Sequence, residues 1–124
     1  MLIEIENQND VCILRLKGRF MMGADPVYLR SQAEEVRTGN YSKLLVDVSE
    51  VDAMGSTVIG FVVALYTSII KKAGGRFMLT GANKRVREVL DLTQLDTIIP
   101  LAADAGPVLA AWRGGDSAAR AAGR

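Results

Sequence analysis

The sequence contains no histidine and only one cysteine, Cys12. Without histidine, the chain cannot assemble a Ser-His-Asp triad, a Cys-His dyad or a histidine-ligated metal site. A single cysteine also cannot form a disulfide within the chain, which favours a reducing compartment, and we expect the cytoplasm. These absences argue against a small enzyme, and we expect a protein that uses no metal and no other cofactor.

The sequence also lacks an excess of charge of one sign. Its 15 Lys and Arg residues balance 14 Asp and Glu residues, which gives no electrostatic reason to expect a nucleic-acid or membrane-surface partner. Glu4 and Glu6 follow the first residues at once, so we expect no leader sequence. Residues 53–70 are uncharged, but their glycine, serine and threonine content indicates a buried amphipathic helix and no membrane insertion.

What the sequence does contain is an alternation of short aliphatic strands with amphipathic helices. The predicted elements are strands over residues 2–6 and 11–17, a helix between Asp25 and Gly39, a strand over 43–48, a helix over 56–72, a strand over 76–80, a helix capped by Asn83 and ending near residue 91, a short strand at 98–99, and a helix over 104–112.

This order predicts an α/β fold with a mixed sheet of about four to five strands. The sheet opens with an N-terminal antiparallel hairpin, continues with parallel strands and packs against about four α-helices. The strand over 43–48 is almost entirely aliphatic, as expected of a central strand buried on both faces. We predict one domain, residues 1–112, and a disordered tail, residues 113–124, which has no large apolar residue.

The junction between the central strand and the longest helix places two adjacent hydroxyls, Ser56 and Thr57, at a helix start. Loops at the carboxyl ends of parallel strands commonly hold functional sites. Two interpretations of the helix stay open. In the first, the sheet and the neighbouring helices bury the whole apolar arc of this helix, and Ser56 serves only as its side-chain cap. In the second, part of the helix contacts another protein. In the second case Gly60 and Ala64 let a partner approach closely beside Thr57.

At this junction the sequence resembles the STAS domain of the anti-sigma-factor antagonist family. That family has an aliphatic strand followed by Asp-Ser-Ser-Gly-Leu-Gly, and here the corresponding positions read Gly55-Ser56-Thr57-Val58-Ile59-Gly60. Residues 72–77 resemble its Gly-Gly stretch, and residues 86–92 resemble its following helix. The resemblance runs from Ile3 to Trp112 and departs at several motif positions, so the chain is identified as a divergent member with a STAS-like fold.

The resemblance implies a phosphorylation switch. In this family the unmodified protein binds a serine kinase that is itself the anti-sigma factor, and phosphorylation of the second motif hydroxyl breaks the complex. By position the acceptor is Thr57, with Ser56 as its neighbour. The resemblance implies a partner-binding surface that includes Met21, where the family often has an acidic residue; with it we group Gly55, Ser56, Thr57, Gly60 and Ala64.

Other functions remain open beside this one. The chain could serve as a non-phosphorylated STAS-like scaffold, or as an accessory subunit of a signalling or membrane-transport complex, and a homodimer is also open. The basic run over 84–87 fits a solvated helix face or a docking surface for an acidic partner. Asp47 and Asp52 make only a weak metal site, and Cys12 fits a small core residue.

Overall fold

The structure, a computed structural model, describes residues 2–20 and 26–113. Within these residues, five strands form one sheet and four α-helices accompany it. The strands are β1 (Leu2–Gln8), β2 (Val11–Phe20), β3 (Lys43–Met54), β4 (Arg76–Thr80) and β5 (Leu101–Ala102). The helices are α1 (Pro26–Arg37), α2 (Ser56–Ile70), α3 (Lys84–Leu92) and α4 (Ala105–Arg113), and a 3-10 helix, Leu95–Thr97, precedes β5.

The strands lie side by side in chain order, from β1 to β5. β1 pairs antiparallel with β2, and every later pair is parallel. Parallel neighbours cannot be joined by a tight turn, so α1, α2 and α3 each carry the chain back to the start of the next strand. The predicted α/β fold, a mixed sheet that opens with an antiparallel hairpin, is confirmed.

The sheet is buried on both faces, but unequally. One face packs against α1, α2 and α3, and the larger core cluster takes from β2 and β3 the residues Cys12, Leu14, Leu16, Leu44, Val46 and Val48. The other face packs against α4 through a smaller cluster of Val11, Ile13, Leu45 and Leu109. Because successive strand side chains point to opposite faces, β3 fills both clusters at once. The prediction of a central strand buried on both faces is confirmed.

β2 and β3 are longer than predicted, and the pairing between them is irregular. Arg15 pairs with Asp47, but Lys17 pairs with Glu50 and Phe20 with Met54, so β3 contributes an extra residue at two places. Such bulges shift the side chains that follow. The prediction that β3 ends at residue 48 is therefore wrong. The prediction that β2 ends before residue 18 is wrong as well.

α3 begins after the predicted cap, whereas α2 ends two residues before the predicted end at residue 72. α2 stops at Ile70, and the turn after it contains Gly74, whose φ of 70° favours glycine. Asn83 caps α3, because its side-chain oxygen accepts a hydrogen bond from the Val86 backbone N–H at 2.8 Å.

The predicted strand at residues 98–99 is wrong. The backbone N–H groups of Ile98 and Ile99 both donate to the Leu95 carbonyl, at 3.0 and 2.8 Å, so they close the 3-10 turn and do not reach the sheet. The edge strand forms two residues later, where the Leu79 N–H donates to the Pro100 carbonyl at 3.0 Å. The predicted tail lies outside the described residues, except for Arg113 at the end of α4.

Candidate functional site

A single residue, Gly55, joins the end of β3 to the first turn of α2. Its backbone is extended, and its carbonyl accepts hydrogen bonds from the N–H groups of Val58 and Ile59 at 3.2 and 3.1 Å. Gly55 therefore occupies the cap position of the helix without a side chain that could cap it. The interpretation of Ser56 as the side-chain cap is wrong, because Ser56 is already the first residue of the helix.

The two predicted hydroxyl residues lie in the first turn of α2 and face solvent. Ser56 and Thr57 are both exposed. Among the residues that the structure describes, neither hydroxyl makes a hydrogen bond, so both oxygens are open to an incoming reagent. The neighbouring Val58 points the other way and is 0% exposed. The valine that replaces a glycine of the family motif therefore lies in the core and not beside the hydroxyls.

α2 has one buried side and one exposed side of small residues. The buried side consists of Val58, Ile59, Phe61, Val62, Leu65 and Ile69. Thr57, Gly60 and Ala64 follow one another at helical spacing on the exposed side, and a methyl group placed on Gly60 would meet no atom within 4 Å. The predicted apolar arc is thus buried over its greater part, and the predicted small face is open to solvent.

A groove of about 210 Å³ runs between α1 and α2 and ends at the first turn of α2. It is lined by Pro26, Leu29, Arg30, Ala33, Thr57, Phe61 and Ala64. Two predicted partner-binding residues, Thr57 and Ala64, thus share one wall of the groove. Gly60 lies on the same side of α2 but does not line it, and Met21 is outside the described residues.

Sequence reasoning missed the contribution of α1 to this groove. Arg30 is the charged residue of its lining and comes from the middle of α1. Parallel crossovers are right-handed, so consecutive crossover helices of an ordered sheet pack on the same face. That rule could have placed α1 beside α2, but the periodicity of the two helices does not indicate that Arg30 and Thr57 line the same groove.

The remaining candidates lie away from the groove. Cys12 is fully buried, burial raises the pKa of its thiol, and the prediction of a core residue is confirmed. Lys84, Arg85 and Arg87 are exposed on α3. Asp47 accepts a hydrogen bond from the Ser49 backbone N–H at 2.9 Å. Across residues 2–20 and 26–113, no group of three acidic or cysteine side chains is placed to hold a metal ion.

Two other cavities open beside α3 and β5. One of about 490 Å³ is bordered by residues 81–82, 101–103 and Arg87, and one of about 290 Å³ is lined mainly by charged side chains of α3. No residue of the predicted site lines either cavity. In the part of the chain that the structure describes, no helix has the length and apolar character needed to cross a membrane.

Comparison with known proteins relates the chain to one family of regulators. Residues 3–106 match the family described as STAS domain. A Thermotoga maritima protein, provisionally named an anti-sigma factor antagonist, is 34% identical over 93 residues, which are 75% of this chain and 81% of that protein. A provisionally named Thermotoga neapolitana homologue is 34% identical over 68 residues, and this match spans 55% of the chain and 59% of that relative.

Solved structures share the fold. The unphosphorylated anti-sigma factor antagonist SpoIIAA superposes with a TM-score of 0.75 at 18% identity, covering 92% of this chain and 98% of its own. The phosphorylated form of SpoIIAA, a Bacillus cell fate determinant, gives a TM-score of 0.65 at 16% identity over 86% and 96% of the two chains. Fold and sequence match agree over nearly all of the described residues, and the chain belongs to the STAS domain family.

Proposed function

We propose that this chain is a cytoplasmic, non-enzymatic anti-sigma factor antagonist. In this proposal the unmodified protein binds a serine kinase that also acts as the anti-sigma factor, and this binding frees the sigma factor. The observation that carries the proposal is the exposed Thr57 hydroxyl, which makes no hydrogen bond to a described residue and lies on the wall of the α1–α2 groove. The names of the two Thermotoga relatives support it.

The proposed contact surface is the start and the small face of α2. It comprises Gly55, Ser56, Thr57, Gly60 and Ala64, and we add Met21 on the sequence alone. The side chains of the α2 residues are small and most are exposed, so a partner backbone can approach them closely. Since the groove wall beyond them is mostly apolar, part of the contact would be shielded from water.

The proposed modification is transfer of one phosphoryl group. The kinase moves the γ-phosphoryl group of ATP to Oγ1 of Thr57; the hydroxyl proton is released and ADP leaves. Threonine carries a hydroxyl group on Cβ, as does the serine of the family motif. The buried position of Val58 supports acceptance of the phosphoryl group, because that side chain does not lie beside the acceptor.

The phosphate would act as a switch because its energy differs between the free and bound states. A phosphothreonine carries about −1.5 to −2 charges at neutral pH. In the free protein it faces solvent at a helix start, where the helix dipole favours negative charge by roughly 0.3–1 kcal/mol. In a partly dry interface, an unpaired charge costs several kcal/mol. Since about 1.4 kcal/mol changes affinity tenfold, the interface cost dominates and the partner is released.

The test uses the full chain with the purified kinase and ATP. We expect phosphopeptide mass spectrometry to find phosphate on Thr57 in the wild type, and none in Thr57→Ala. We expect Thr57→Glu to bind the kinase at least about tenfold more weakly than the wild type in a calorimetric titration.

Thr67→Glu is the matched control. Thr67 is also exposed on α2 but lies ten residues further along the helix, about 15 Å away. Thr67→Glu should therefore weaken kinase binding much less than Thr57→Glu. Equal binding by Thr57→Glu and the wild type would contradict the switch. Tight binding without phosphorylation would instead support the scaffold function.

A further inference from the structure

Arg30 lines the groove opposite Thr57, and among the described residues it has no counter-ion. Both residues line the same groove, Arg30 from α1 and Thr57 from α2, and the rest of the lining is apolar. Arg30 is exposed, and its guanidinium makes no ion pair or hydrogen bond with a described residue. An arginine beside an apolar groove with no acidic partner is a ready site for an anion.

The acidic residue best placed to neutralise Arg30 is already engaged. Glu34 lies four residues after Arg30 on α1, the spacing at which opposite charges on a helix pair. Glu34 pairs instead with Arg37, whose Nε donates to one carboxylate oxygen at 3.1 Å and whose Nη2 donates to the other. The ion pairing within α1 therefore leaves the Arg30 charge available to a group on α2.

We propose that Arg30 is the intramolecular partner of phosphorylated Thr57. The inference rests on the proposed function. In the phosphorylated protein the guanidinium donates two parallel hydrogen bonds to the phosphate oxygens across the groove. This two-pronged geometry is the one in which arginine binds phosphate most strongly. The phosphate then bridges α1 and α2 and covers the groove wall. With its charge partly neutralised by Arg30, the phosphate would release the partner chiefly because it occupies the groove.

The test measures the pKa of the phosphate itself and needs no kinase. Phosphothreonine is installed at position 57 of the full chain during translation, and the second ionisation, with a pKa of about 6, is followed by ³¹P NMR. A neighbouring cation lowers this pKa. We expect the phosphate in Arg30→Gln to titrate about half a unit higher than in the wild type, and the difference to shrink as salt is added.

Two variants make the result specific. Arg30→Lys keeps the charge but loses the two-pronged geometry. The second pKa of the phosphate in this variant should therefore lie between the values in the wild type and in Arg30→Gln. Arg85→Gln removes an exposed arginine of α3, which does not line the groove, and should leave the titration unchanged. The unphosphorylated Arg30→Gln protein should melt at the wild-type temperature, since the Arg30 guanidinium makes no ion pair or hydrogen bond with a described residue.

An unchanged titration in Arg30→Gln would overturn the inference, as would an equal shift in Arg85→Gln. The proposed function would fail separately, through the kinase assay. A kinase that does not modify Thr57, or that binds Thr57→Glu fully, would contradict the switch even if the phosphate and Arg30 form their ion pair.

Discussion

At the scale of single residues, Gly60 gives a prediction in which stability and binding change in opposite directions. It lies exposed in the second turn of α2, with open space where a side chain would begin. Glycine within a helix is less stable than alanine by about 0.5–1 kcal/mol. We therefore expect Gly60→Ala to raise the free energy of unfolding by this amount in urea titrations, and to weaken kinase binding because the added methyl group lies in the proposed interface.

Gly106→Ala is the matched control. Gly106 is also an exposed helical glycine with open space beside it, but α4 packs on the opposite face of the sheet. Because Gly106 precedes Pro107, where an added Cβ is disfavoured in a helix, this variant is compared for binding only, and it should bind the kinase like the wild type. If Gly60→Ala is stabilised and binds at full strength, Gly60 does not belong to the contact surface.

At the scale of secondary-structure elements, the sequence pattern is sufficient to predict the first half of β3 but not the second half. The first half of the strand is almost entirely aliphatic, and this pattern correctly predicts burial on both faces. In its second half the buried residues are Val48, Val51 and Met54, at every third position, because each of two bulges adds a residue. A spacing of three does not match the strand period of two. The strand therefore resembled a loop, although Ser56 was correctly placed at the start of α2.

The bulged end of β3 is tied to α3 by Asn83, and this gives a second prediction. The side-chain nitrogen of Asn83 donates to the carbonyls of Val51 and Asp52 at 2.9 and 3.0 Å, while its oxygen caps α3. Asn83→Asp keeps the cap but loses both donors. We expect this variant to lose about 1–2 kcal/mol of unfolding free energy, because aspartate caps helices as well as asparagine does but cannot donate to the two β3 carbonyls.

Asn83→Ala is the reference variant, because it loses both the helix cap and the two hydrogen bonds to β3. It should be less stable in urea than Asn83→Asp. An Asn83→Asp protein as stable as the wild type would mean that Asn83 acts only as a helix cap and does not fix the end of β3.

At the scale of the whole molecule, the topology was predictable and the groove was not. Strand and helix order, together with the right-handed crossover rule, determine which helices share a face of the sheet. The groove depends on how closely two helices pack, and that depends on side-chain volumes in three dimensions. Ala33 and Ala64 are small residues on neighbouring helices, and nothing in the period of either helix indicates that they line the same groove. Thr57 was therefore found from the sequence, whereas its neighbour Arg30 was not.

Asp10 joins the N-terminal hairpin to the parallel part of the sheet. The Ser42 hydroxyl donates to its carboxylate, the Ser42 N–H donates at 2.7 Å and the Lys43 ammonium lies at 3.3 Å. The hydrogen bonds from Ser42, chiefly that from the hydroxyl, lower the pKa of Asp10 below its ordinary value of 3.8, and Lys43 adds to the effect. A carboxyl whose pKa is lower in the folded state stabilises the fold above its unfolded pKa.

That stabilisation should be lost as the pH falls from about 3.8 through the lower folded value. We expect Asp10→Asn to be less stable than the wild type at neutral pH, and this difference to shrink below pH 3.8, measured by urea unfolding followed by circular dichroism. Ser42→Ala removes the hydroxyl that contributes most to the lowered pKa, so the pH-dependent part of the Asp10→Asn effect should be smaller in that background. A difference between wild type and Asp10→Asn that stays constant with pH would show that the carboxylate charge does not hold the hairpin to β3.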